Sequence, residues 1–155
     1  MWTRLAIAVY RRTPPSVRRA VIRLLSPTYA VGALVIVRRP DGHVLLVRQS
    51  YRPNWFLPGG LLQRGEQPVQ AAARELREEV GLTPSRVDGP VATFVDPGIR
   101  IVTVFFEAEV DDGMADVAGS HSREIIETRW FPPDALPVIN DELERGLRGT
   151  HLLGR

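Results

Sequence analysis

The chain has 155 residues and 44% of them are hydrophobic, which is enough for one globular domain with a sizeable core. It contains no cysteine, which excludes a disulfide framework, a thiolate metal site and a cysteine nucleophile, and which leads us to expect a cytoplasmic protein. The formal net charge of +2 hides an asymmetry, because residues 1–40 contain no acidic residue but eight arginines: Arg4, Arg11, Arg12, Arg18, Arg19, Arg23, Arg38 and Arg39.

The first predicted element is a basic amphipathic helix. Thr13 is the expected N-cap, Pro14 the first helical position, and Ser26-Pro27 the end. One side of the helix is apolar and consists of Val17, Ala20, Val21, Leu24 and Leu25. We interpret residues 1–27 as a helical extension that packs on its own domain or on a second copy in a homodimer. Binding to a membrane surface or to nucleic acid is the alternative.

Two strands and an aromatic loop are predicted next. Residues 29–39 are apolar and β-branched, residues 40–42 are a Pro-Asp-Gly turn, and residues 43–49 alternate as a returning strand. Residues 51–56 form an aromatic loop that leads to Pro58-Gly59-Gly60.

A helix is predicted from Pro68 to Val80, where alanine and leucine are good helix formers. Glu75, Glu78 and Glu79 are spaced i, i+3 and i+4, so their three carboxylates share one face and would repel one another. A hard divalent cation, which prefers oxygen ligands, would turn that repulsion into a binding site.

The remaining elements are shorter. Strands are predicted over residues 91–95, 99–110 and 128–131, a mobile Gly- and Asp-rich loop over 111–121, and a closing helix over 140–148. Strands with one helix between them and another at the end predict an α/β sandwich with a mixed sheet.

The segment Gly60–Leu82 resembles the Nudix box, G-x5-E-x7-R-E-U-x-E-E-x-G-U with U apolar, at every specified position. The resemblance implies a Nudix α-β-α sandwich over residues 28–155, of the MutT-like or ADP-ribose pyrophosphatase-like kind. It also implies Mg²⁺- or Mn²⁺-dependent hydrolysis of a diphosphate linkage in a nucleoside diphosphate derivative or a nucleoside triphosphate. The alternatives are a catalytically silent nucleotide-binding module, although such domains usually lose box glutamates that are present here, and a Nudix domain recruited to a membrane or to RNA.

The resemblance also assigns expected roles to residues. Metal ligation and catalysis fall to Glu75, Glu78 and Glu79, with the backbone carbonyl of Gly59 as a further ligand. Glu124, about six residues before Trp130, resembles an additional metal-binding or catalytic glutamate of MutT-type enzymes; Glu127 and His121 are its competitors. The remaining box residues are expected to be structural, with Glu66 and Arg74 bracing the loop against the helix: Gly60, Glu66, Arg74 and Gly81.

Two features bear on the substrate and conflict with each other. Pro97 lies 15 residues after Leu82, similar to the downstream proline associated with ADP-ribose pyrophosphatases. Residues 55–60, Trp-Phe-Leu-Pro-Gly-Gly, are more similar to MutT-type nucleoside triphosphate enzymes. Arg52, Trp55 and Phe94 are the expected substrate-binding residues, because they could stack on a base.

Overall fold

A computed structural model describes residues 10–139 together with residues 144, 147 and 148. The helices are α1 (Pro15–Leu25), α2 (Pro68–Val80) and α3 (Asp112–Val117). The strands are β1 (Ala30–Arg38), β2 (Val44–Gln49), β3 (Trp55–Phe56), β4 (Gly59–Leu61), β5 (Asp88–Asp96), β6 (Ile101–Glu109) and β7 (Ile125–Phe131). In this part of the chain, no helix is long and apolar enough to cross a membrane.

The described strands form one mixed sheet in the order β3-β2-β1-β6-β5, with β4 also paired to β1 and β7 also paired to β2. Strands β1 and β6 run parallel, from Ala30 opposite Ile101 to Arg38 opposite Glu109. The other strand pairs are antiparallel. The predicted α/β class with a mixed sheet is confirmed.

Core clusters cover both faces of the sheet, because side chains alternate between faces along each strand. On one face, Val35 and Val37 of β1 pack with Ala72 and Leu76 of α2. On the other, Ile36 of β1 packs with other apolar side chains, a group that comprises Val44, Leu46, Leu57, Phe105 and Leu147. Leu147 is helical, so helical residues contact both faces, as in an α-β-α sandwich.

Helix α2 has the predicted bounds, Pro68 to Val80, and its ends explain them. Gln67 and Gln70 form a reciprocal capping box at the start, and proline occupies the first turn, where its missing N–H costs nothing. Gly81 ends the helix with φ 73°, a left-handed conformation that glycine adopts without steric penalty. Both ends are therefore fixed by local chemistry, which places the glutamates between them reproducibly.

Helix α1 differs from its prediction in two respects. Pro14, not Thr13, is the N-cap, and no side chain caps the helix. None of the helix residues is buried, so the apolar side does not pack on its own domain, and packing on a second copy, the other half of that expectation, stays a prediction. The apolar side chains are instead open to solvent, with Leu24 85% and Leu25 77% exposed.

Three further differences concern loops. The predicted mobile loop over residues 111–121 contains helix α3, whose N-cap Asp111 accepts a hydrogen bond from the Met114 backbone N–H at 2.7 Å. The aromatic loop and the Gly-Gly turn contain the short strands β3 and β4. Residues 99 and 100 lie in a turn before β6. Most of the predicted closing helix over 140–148 lies outside the described residues.

Candidate active site

The backbone at Gly59 and Gly60 passes between β1 and α2 with no room for side chains. A Cβ at Gly59 would lie 2.1 Å from the carbonyl oxygen of Ala33, and the residue has φ 143°. A Cβ at Gly60 would lie 2.5 Å from Oε1 of Glu75. Glycine at both positions therefore lets the strand approach the carboxylates of the helix closely.

Glu79 is the most buried acidic side chain near this approach, at 6% exposure. Its Oε2 accepts a hydrogen bond from the Gly59 backbone N–H at 2.8 Å, and it also accepts one from the Gln49 side chain. Burial raises the pKa of the Glu79 carboxyl to about 7, and the negative charges of Glu75 and Glu124 add to that rise. Bringing a cation to this site would relieve both effects.

Gln49 is a residue that the sequence analysis missed. It is 7% exposed, its amide holds Glu79, and its Oε1 atom is buried with no hydrogen-bond partner. No spacing pattern in the sequence marks it, because it is simply the last residue of β2. A glutamine at the end of an apolar strand is the one signal that could have found it.

Arg74 connects the loop before α2 to the acidic face of the helix. Its Nε and Nη2 donate to the two carboxylate oxygens of Glu66 at 2.8 and 3.0 Å, and Nη2 also donates to the Leu61 carbonyl at 3.2 Å. Nη1 donates to Glu75 at 2.7 Å and to Glu78 at 3.2 Å. The hydrogen bonds with Glu66 raise the pKa of Arg74 and lower that of Glu66. One guanidinium thus neutralises part of the acidic face.

A cavity of about 420 Å³ opens where these elements meet. Three carboxylates line it, Glu75, Glu79 and Glu124, next to the backbone of Gly59 and Gly60. The other lining residues are Gly32, Leu34, Gln49, Tyr51, Arg52, Phe56, Leu57, Leu61, Ile99, Ile101 and Thr103. This volume lies within the range of small-molecule sites.

Among the candidates after the box, only Glu124 lines this cavity. The backbone carbonyl of Glu124 accepts a hydrogen bond from Ser50 N–H at 2.8 Å, which fixes it beside the end of β2. Glu127 instead pairs with Arg48 and Arg129, at 2.5 and 2.7 Å. His121 lies against Gly81, where an added Cβ would be 2.5 Å from its Nε2.

The predicted substrate-binding residues divide into two groups. Arg52 lines the cavity and stacks on the Phe56 ring, 4.5 Å from its centroid. Trp55 packs edge-on against Phe131 at 5.0 Å between ring centroids, and Phe94 packs against the same core cluster. Neither of these two rings is among the side chains that line the cavity.

Glu78 is half exposed and held by Arg74, outside the cavity wall. Among the described residues, no three His, Cys, Asp or Glu side chains are close enough to hold a metal ion as they stand. The donor chemistry nevertheless fits Mg²⁺, because three carboxylates line one cavity. The pKa of Glu79 is raised mainly by burial, and the charges of Glu75 and Glu124 add to the rise.

Comparison with known proteins shows the family to which the chain belongs. A family model described as the NUDIX domain matches residues 28–149. The chain is 30% identical over 111 residues, 72% of each protein, to a Bacillus subtilis (strain 168) protein provisionally named an 8-oxo-dGTP diphosphatase. It is 31% identical over 108 residues to a MutT-like protein of Streptomyces ambofaciens, covering 70% of this chain and 67% of the relative.

Among solved structures, a NUDIX hydrolase from Nitrosomonas europaea aligns with a TM-score of 0.67 and 26% identity, covering 79% of this chain and 70% of the other. The chain belongs to the NUDIX family. It is a Nudix hydrolase, and its relatives are MutT-like.

Proposed function

We propose that this chain hydrolyses a diphosphate linkage of a nucleotide in a reaction that depends on Mg²⁺ or Mn²⁺. The observation that carries the proposal is the convergence of Glu75, Glu79 and Glu124 on one cavity beside the Gly59-Gly60 backbone. A carboxylate cluster repels an anionic substrate unless a cation lies between them, so the site favours metal-bound phosphates over free anions.

The residues that line the cavity suit the two parts of a nucleotide. The carboxylates would hold the metal-bound phosphates, with Glu78 joining after its side chain leaves Arg74. Arg52 and Tyr51 also line the cavity, and a cation and an aromatic ring can contact a base. The cavity of about 420 Å³ therefore has groups suited to phosphates and groups suited to a base.

Metal bound here would neutralise the phosphate oxygens and acidify a bound water. The chain's own residues would accept the proton and hold the carboxylates in position. Glu124, as general base, accepts a proton from the attacking water, whose oxygen forms a new bond to phosphorus. The bond from that phosphorus to the bridging oxygen breaks, and the bridging oxygen leaves with the other phosphate. The Gly59 N–H holds Glu79 in place throughout.

Nucleoside triphosphates are the substrate class that we favour. The relative named as an 8-oxo-dGTP diphosphatase covers 72% of this chain, and residues 55–60 resemble MutT-type enzymes. Nucleoside-diphosphate derivatives such as ADP-ribose are the second class, because Pro97 resembles their downstream proline.

A nucleotide panel with and without Mg²⁺ tests the proposal. The panel contains 8-oxo-dGTP, the four deoxynucleoside triphosphates and ADP-ribose, with products resolved by ion-exchange chromatography. We expect turnover that requires the metal and is highest for a triphosphate. Reaction in ¹⁸O-labelled water then identifies the phosphorus that is attacked. Binding of nucleotide without turnover would instead support a silent binding module.

Two variants distinguish the loss of a carboxylate in the cavity from the loss of a carboxylate elsewhere. Glu79→Gln removes a charge from the metal site at constant size and should lower the rate on the order of 100-fold. Glu127→Gln is the matched control, since this carboxylate lies outside the cavity and pairs with arginines. Equal turnover in both variants would contradict the assignment of Glu79.

A further inference from the structure

Helix α1 carries an apolar surface that the domain does not cover. Five large apolar side chains on it are exposed: Val17 47%, Val21 46%, Ile22 56%, Leu24 85% and Leu25 77%. Residues three and four apart share a helix face, so Val17, Val21 and Leu24 form one stripe, with Leu25 beside it. Contiguous exposed apolar surface of this kind marks an interaction site more often than an ordinary protein surface does.

The side of α1 opposite the apolar stripe carries basic residues. Arg19 and Arg23 project from it, and Arg18 flanks the apolar stripe, with its guanidinium 4.8 Å from the Tyr10 ring centroid. The Nε atom of Arg18 has no hydrogen-bond partner. Within the described residues, none of the arginines at 11, 12, 18, 19 and 23 pairs with a carboxylate. Their charge is therefore available to an external anion.

We infer that α1 binds in the plane of an anionic membrane surface, with its apolar stripe in the acyl boundary and its arginines at the headgroup phosphates. An amphipathic helix with basic residues on the polar face has the chemistry for this position. Each arginine near an anionic leaflet adds to the attraction. With 11 residues the helix is far shorter than the roughly 20 that a bilayer span requires, so it lies on the membrane and does not cross it.

Charge disfavours a second copy of the chain as the occupant. A two-fold interface places the same surface on both partners, so the positive charge of Arg18 beside the stripe would be repelled by the same charge of the other copy. Residues 1–40 contain no acidic residue that could neutralise this charge. Nucleic acid would satisfy the arginines but would leave the apolar stripe in water.

Vesicle co-sedimentation of the full-length protein tests the inference. The vesicles are phosphatidylcholine alone or phosphatidylcholine mixed with phosphatidylglycerol. We expect at least about tenfold stronger partitioning to the anionic vesicles, and weaker binding at high salt. No preference for the anionic vesicles would overturn the inference.

Two double variants separate the apolar and charged contributions. Leu24→Asp with Leu25→Asp should abolish binding because it places charge in the stripe, and Arg19→Gln with Arg23→Gln should reduce it to the level of neutral vesicles. Val138→Asp is the matched control, because Val138 is 79% exposed and lies outside α1. None of these side chains is buried, so melting temperatures should stay unchanged and show that each variant folds.

Three other outcomes would overturn the inference. Vesicle binding that persists in the double variant Leu24→Asp with Leu25→Asp would show that the apolar stripe does not bind the membrane. A lipid-free dimer that this variant dissociates, measured by sedimentation velocity, would assign the stripe to a second copy. Gel-shift binding of RNA that requires Arg19 and Arg23, without anionic vesicle binding, would assign the arginines to nucleic acid.

Discussion

At the scale of single residues, Arg74 binds carboxylates for which a metal cation would compete. Its Nη1 binds both Glu75 and Glu78, two of the carboxylates expected to bind metal, while Nε and Nη2 stay with Glu66. Metal binding can therefore withdraw two carboxylates from the guanidinium without freeing it from the loop. The residue can act as a structural brace in both states.

The raised pKa of Glu79 predicts a pH-dependent stability of the metal-free protein. Because the folded-state pKa of Glu79 is about 7 and the ordinary pKa of a glutamate is 4.5, the folded carboxyl retains a proton that the unfolded chain releases. Stability should therefore fall as pH rises from about 4.5 to about 7, by at most about 3 kcal/mol. Glu79→Gln should remove this loss.

Thermal unfolding in a chelating buffer measures the effect. Glu79→Gln should melt higher than the wild type at pH 8 and close to it at pH 4. Added Mg²⁺ should raise the wild-type melting temperature at pH 8 and leave the variant largely unchanged. A wild-type melting curve that is independent of pH across this window would contradict the burial of an ionised carboxylate at Glu79.

Trp55 supports the core and does not reach the substrate cavity. Its ring packs on Phe131, with Arg48 and Arg129 over it at 5.8 and 5.6 Å. Trp55→Ala should therefore lower stability by roughly 2–4 kcal/mol, because a half-buried ring loses its contacts. KM should stay near its wild-type value. A raised KM with unchanged melting temperature would contradict this role and assign the Trp55 ring to substrate binding.

At the scale of elements, the loop between β4 and α2 is held from both sides. Glu66 accepts two hydrogen bonds from Arg74 and one from the Gln63 backbone N–H at 2.7 Å. The same guanidinium reaches the Leu61 carbonyl at the end of β4. The loop, the strand and the helix are therefore tied together at one side chain.

Arg74→Ala should lower both stability and activity. It leaves Glu66, Glu75 and Glu78 without their shared partner, and a shift of about 1 Å in metal ligands can cost on the order of 100-fold in rate. The melting temperature should fall by roughly several degrees. Arg77→Ala is the matched control on the same helix, since Arg77 is exposed. Unchanged melting temperature with selectively weaker metal affinity would contradict the bracing role.

Regular elements were predictable because local chemistry fixes them. Pro68, Gln67 and Gly81 define the ends of α2 without help from the rest of the fold. The strand β4 was not predictable, since Gly59 and Gly60 have no strand propensity and are extended only because β1 offers them partners. Tertiary pairing overrides propensity there.

The residues of the candidate site also divide into those that local sequence predicts and those that depend on tertiary contacts. Glu75 and Glu79 lie where the helix period places them, and Glu124 reaches their cavity from a distant part of the chain. Gln49 could not be found, because its role depends on a hydrogen bond from the end of β2 to Glu79 on helix α2. Trp55 and Phe94 could not be excluded, because their packing in the core depends on contacts between distant parts of the chain.

At the scale of the whole molecule, the family match begins at residue 28 and α1 precedes it. None of the residues of α1 is buried. A chain that lacks residues 1–27 should therefore retain nucleotide hydrolysis within about twofold, since no cavity residue is removed. Steady-state kinetics compare the two proteins. A large loss of kcat would show that the extension supports the site.

The parallel pairing of β1 with β6 sets an order of events during synthesis. The strand containing Ala30 leaves the ribosome well before its partner Ile101, whereas β2 and β4, its antiparallel partners, follow it soon. The part of the fold that contains β1, β2, β4 and helix α2 can thus assemble while one side of β1 is still unpaired. Long-range parallel contacts form slowly, and the unpaired edge of a strand can meanwhile pair with another chain. In a growing chain, the acidic face of α2 would exist before Ile101 and Thr103 close the cavity beside it.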